Sequence, residues 1–101
     1  MVRITLAATL AFAVSAFALA PNNAGAKDVG NGKNAQFTTG GCVADNDCNS
    51  ACCAEINATN VGICSAEGAQ FQNGKQGCGF VDPNAAATIA AAQAQVAKQG
   101  F

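Results

Sequence analysis

The residues of this chain best equipped for chemistry are six cysteines: Cys42, Cys48, Cys52, Cys53, Cys64 and Cys78. Four of them crowd into the stretch GCVADNDCNSACC, two side by side. Such a cluster can ligate a metal, supply a nucleophilic thiolate or close disulfides. Zinc sites use histidine or paired C-x-x-C knuckles, and this sequence has neither. A catalytic thiol needs a base, and histidine is absent. The even count leaves no cysteine spare, so three disulfides are the expected chemistry, provided the compartment is oxidising.

The N-terminus answers that condition. One positive residue, Arg3, precedes the uncharged run ITLAATLAFAVSAFALA, and small residues follow. This is the layout of a secretory signal peptide, assigned to residues 1–20. Cleavage fits after Ala18 or after Ala26, because both sites offer a small-x-small triplet. A transmembrane anchor fits less well: the run is short and Ala-rich, with no basic cluster behind it. Removing the leader leaves one small domain of about 75–83 residues. It has no Trp, no Tyr and few large apolar side chains. Chains this small usually need staples.

Adjacent residues of an extended chain point to opposite faces, so Cys52 and Cys53 can send bridges in two directions. A bridge between the two would close a strained ring. Six cysteines allow fifteen pairings; removing the three that join Cys52 to Cys53 leaves twelve open.

The spacing C-x5-C-x3-C-C-x10-C-x13-C resembles the inhibitor cystine knot, or knottin, framework. That resemblance implies the pairs Cys42–Cys53, Cys48–Cys64 and Cys52–Cys78. A wider resemblance joins the leader, the GCVADNDCNSACCA block, the GAQFQNGKQGCGF block and the Ala/Gln-rich tail. Together they are similar to the biotrophy-associated secreted proteins of plant-pathogenic fungi, small cysteine-rich effectors made during colonisation of living plant tissue. It implies secretion toward a host and no enzyme activity, and it carries over no catalytic residue.

The fold expected is small and disulfide-rich: a knottin-like short antiparallel hairpin with three disulfides, then a C-terminal Ala-rich helix. Residues 21–41, rich in Gly, Asn and Thr, read as a flexible arm. Residues 42–81 form the stapled domain. Its hairpin strands are expected at residues 61–64 and 78–81, each short, apolar and carrying a cysteine. The triplet Ala-Gln-Phe occurs at residues 35–37 and 69–71, each time followed by a Gly-Cys pair. Chance is the preferred reading, since true repeats show several units at constant period. The alternative is a faint duplication with each Phe beside its staple. Asp45 and Asp47 match half of a calcium loop, but Cys48 and the missing terminal Glu break the pattern. Their expected task is to accept backbone N–H bonds. Asn57-Ala58-Thr59 is an N-glycosylation sequon, which makes Asn57 the candidate modification site.

Residues 82–101 carry a helix signal. Asp82 can cap, Pro83 suits the first helical position, Lys98 suits the last turn and Gly100 can close it. Ala85, Ile89, Ala92 and Val96 share one shallow face, expected to pack weakly on the domain. As a partner-binding helix its anchors would be Ile89, Val96 and Phe101.

Composition narrows function further. The net charge is −1 and the lysines are scattered, so neither nucleic acid nor an anionic membrane is an expected partner. No cofactor or metal is expected, and no enzyme activity, since acid–base work would fall to isolated carboxylates. The expected product is a monomeric extracellular protein, reaching host tissue or host cytoplasm, that binds a host plant component. The alternative is a secreted inhibitor of a host hydrolase, with residues 70–77 as its loop.

Overall fold

The computed structural model describes residues 19–101. All but the last two residues of the expected leader lie outside them.

Three short strands make the only sheet among the described residues: β1 (Gly41–Cys42), β2 (Cys53–Glu55) and β3 (Gly62–Cys64). The order is β1-β3-β2, with β3 antiparallel to both neighbours. The hairpin is β2–β3, closed by Ile56 N–H donating to Val61 O at 2.9 Å. Asn57 and Asn60 take the left-handed backbone conformation its turn requires, which Asn tolerates better than most residues. The strand expected at residues 78–81 does not form. Glycines 77 and 79 adopt positive φ around Cys78, which bends that segment out of a strand. Phe80 still donates its N–H to Cys53 O.

Register sorts the sheet into two faces. Cys53 pairs with Cys64, and Cys42 with Gly62, so these residues share one face. There Cys42, Cys48, Cys53 and Cys64 form the core, with Phe80 packed against it. Sulfur takes the place of the large aliphatic side chains that are few in this sequence. Gly62 sits at the crowded centre: a Cβ there would overlap Cys42 O and stand 2.7 Å from Phe80 Cδ2 and 2.8 Å from Cys53 Sγ. Gly41, Ile63 and Ala54 share the other face. Val29 and Pro21 lie against it at Gly41.

That second cover comes from residues 21–41, expected as a flexible arm. The structure holds them down instead. Residues Asn23–Asp28 form a 3-10 turn, begun by Asn22 accepting from Ala24 N–H. Asn22 pairs with Gly40 beyond β1, and Gln36 pairs with Cys48. The outer side of β2 is taken by Gln76, whose N–H donates to Glu55 O, and by the pairing of Ile56 with Lys75.

The C-terminal helix α1 spans Ala85–Gln99. It starts two residues after Pro83, which lies in a turn instead of at the first helical position. Asp82 is buried and organises this entry: it accepts from Asn84 N–H at 2.7 Å and from Thr88 Oγ1 at 2.6 Å. At the far end Gly100 is left-handed and donates to Val96 O, with Lys98 in the last turn. Ala85, Ile89, Ala92 and Val96 are half-buried, and no helix residue is fully buried. Ile89 rests on Gly30, where an added Cβ would come within 2.6 Å of Ile89 Cδ1. No helix of the described residues is long and apolar enough to cross a membrane.

Candidate functional site

Three bridges join the cysteines: Cys42–Cys53, Cys48–Cys64 and Cys52–Cys78. The adjacent pair works in opposite directions. Cys53 bridges back to β1, while Cys52 reaches forward to Cys78 and anchors the loop between β3 and α1. The sulfurs of Cys42, Cys48 and Cys53 lie within 4.8 Å of one another and are buried. All three belong to disulfides, so the group offers no thiolate to a metal.

The acidic pair is a backbone organiser. Asp47 is 1% exposed. Its Oδ1 accepts from Gly32 N–H at 2.9 Å, and its Oδ2 from Gly30 N–H at 3.0 Å and Val43 N–H at 2.8 Å. A carboxylate surrounded by N–H donors turns a positive field inward and leaves a cation no place. Asp45 Oδ1 accepts from Cys53 N–H at 2.7 Å and Gly79 N–H at 3.0 Å. Together the two carboxylates pin the N-terminal segment, strand β2 and the Cys78 loop to one short turn.

Two glutamines that sequence reasoning passed over do comparable work. Gln36 is fully buried, and its Nε2 donates to Gly25 O at 2.6 Å and Gly41 O at 2.9 Å. Gln70 Oε1 accepts from Cys78 N–H at 2.9 Å. In both Ala-Gln-Phe copies the amide side chain thus grips the peptide bond between the following Gly and Cys. The repeated triplet is the signal for this, and the contact common to both copies is made by its Gln. Phe37 and Phe71 are both exposed.

One loop remains, at residues 70–77. From Gln70 to Gly77 it closes on itself: Gly77 N–H donates to Gln70 O and Lys75 N–H to Gln72 O. Lys75 Nζ donates to the buried Ser65 Oγ at 2.9 Å. Phe71 lies over Gly77 and remains 73% exposed. Of the proposed helix anchors, Ile89 rests on Gly30, Val96 is half-buried and Phe101 is exposed. Asn57 is exposed at the tip of the β2–β3 hairpin.

Comparison with known proteins fits this frame. The family described as Biotrophy-associated secreted protein 2 matches residues 25–100, a span that contains every cysteine, the sheet and α1. The chain belongs to this family. It is 58% identical over 103 residues to Biotrophy-associated secreted protein 2 of Pyricularia oryzae, with both chains covered in full. No solved structure matches. Membership makes the protein a secreted, extracellular, cysteine-rich effector of a plant-pathogen family, and not an enzyme. The Biotrophy-associated secreted protein 2 match begins at Gly25, so it includes most of the segment that Asp47 and Gln36 hold in place.

Proposed function

We propose that this effector acts by binding a host plant component through the loop at residues 70–77. The observation that carries the reading is Phe71. A large aromatic side chain stands 73% exposed on a loop fixed by its own hydrogen bonds and by Cys52–Cys78. A pre-organised loop loses little entropy on binding, and exposed aromatics are common anchors. The protein acts as a monomer and takes no nucleic acid, membrane or cofactor as partner.

The test is affinity capture from host apoplastic fluid with the oxidised protein and its Phe71→Ala variant. Retention of a defined host component by the first and not the second supports the reading. Equal capture by both removes Phe71 from the interface. A second reading, inhibition of a host hydrolase, draws on the same closed loop. A panel of apoplastic proteases and glycosidases that all keep full activity in its presence would eliminate it.

A further inference from the structure

We infer that Asn57 carries an N-linked oligosaccharide, and that the sugar stands over the apolar depression beside the β2–β3 hairpin. Asn57-Ala58-Thr59 is the only N-x-Ser/Thr sequence of the chain, and the family is secreted. The fold places all three residues of the sequon on the surface. Asn57 has φ +50° in the turn of the hairpin and is exposed. Across from it stands Gly74, where an added Cβ would lie 2.8 Å from Asn57 Oδ1 and 3.2 Å from Nδ2. The Asn57 amide thus packs close to Gly74, and any larger residue at position 74 would crowd it.

Order of synthesis favours attachment. Asn57 enters the secretory lumen before Cys64, Gly74 and Cys78. Its amide is therefore presented before Cys48–Cys64 and Cys52–Cys78 can close, and before Gly74 O captures Asn57 N–H. Afterwards Thr59 is committed to the turn through its Oγ1, which donates to Ile56 O at 2.5 Å. The donor is a lipid diphosphate-linked oligosaccharide. Asn57 Nδ2 attacks the anomeric carbon, a C–N bond forms, the C–O bond to phosphate breaks, the amide loses one proton and the lipid diphosphate leaves.

Position gives the sugar a structural task. Ile56, Asn57, Thr59, Val61 and Pro21 line one shallow depression, where Val61 is 40% exposed. The first sugar rings lie within reach of this apolar patch, and their C–H faces cover it while their hydroxyls face water.

The experiment is intact mass spectrometry of the protein secreted from a glycosylation-competent fungal host. The wild type is expected to exceed its peptide mass by a hexose and N-acetylhexosamine series. Enzymatic release in heavy-oxygen water should then mark position 57 alone. Thr59→Ser is expected to keep the added mass, while Thr59→Ala and Asn57→Gln lose it. A wild type secreted at bare peptide mass overturns the inference. So does added mass that survives in Thr59→Ala.

Discussion

Gln36 Nε2 donates to the carbonyl of Gly25 at 2.6 Å, and that bond ties the chain preceding the first cysteine into the core. Gly25 and Gly40 both press against the Gln36 amide, so closely that a Cβ at either would collide with it. Residues 21–29 are therefore part of the domain, and this bears on processing. Cleavage after Ala18 leaves the contact intact, whereas cleavage after Ala26 deletes Gly25 and the buried Ala26. We expect the mature protein to begin at Leu19. Intact mass after reduction reads the start directly, and a chain beginning at Lys27 would refute this.

Asp47→Asn should destabilise the fold. The carboxylate turns two acceptor oxygens to three N–H groups, whereas an amide keeps one acceptor oxygen and puts an NH2 donor in place of the other. Leaving buried donors unpaired costs about 1–3 kcal/mol. Urea denaturation with the disulfides intact measures it. The same geometry predicts that neither calcium nor a chelator shifts the midpoint, and a calcium-dependent shift would reopen a cation site at Asp45 and Asp47.

Gly62→Ala is expected to cost about 1–3 kcal/mol through overpacking. The new methyl group has no free volume between Cys42 O, Phe80 and Cys53 Sγ. By contrast, Gly68→Ala meets nothing within 4 Å and should leave the melting temperature unchanged. A thermal melt of the two variants side by side checks both statements.

The bridges should open in a fixed order. Cys42, Cys48, Cys53 and Cys64 are buried in the core, whereas Cys78 is half-buried. Graded reduction with alkylation should therefore label Cys52 and Cys78 first. Each bridge contributes about 2–4 kcal/mol, a large share of the stability of so small a domain. Cys52→Ser and Cys64→Ser are accordingly expected to prevent accumulation of folded secreted protein. Normal yield and protease resistance in both would defeat the staple argument.

Phe71→Ala should separate stability from binding. An exposed side chain truncated at the surface changes stability by no more than about 0.5 kcal/mol. Loss of a binding anchor weakens capture by about tenfold or more. A parallel loss of both would make Phe71 structural.

Much of this was legible from residue types. The even cysteine count and the leader pointed to a stapled secreted domain, and Ala content with Lys98 and Gly100 marked α1. The β character of residues 61–64 is β3. Its hairpin partner is harder to read, because Cys53–Glu55 is apolar for only two residues and begins within the CC pair. Residues 21–41 were misjudged for a different reason. Their burial rests on Gln36 and on glycines that face Gln36 and Asp47. Hydropathy scores such residues as loop, although a buried amide with backbone partners anchors a chain as firmly as an aliphatic side chain. Asp47 was read correctly as an N–H acceptor, but not as the group reaching back to Gly30 and Gly32.

The pairings outside β1 and β2 have a consequence for a secreted protein. Beside β1, Asn22 N–H donates to Thr39 O, which pairs Asn22 with Gly40, and Asp82 N–H donates to Val43 O. Gln76 and Phe80 N–H occupy Glu55 O and Cys53 O along β2. Neither flank offers a free row of donors and acceptors on which a further chain could template itself. Copies thus meet through side chains and not through shared backbone ladders, so the described sheet gives a fibril no template.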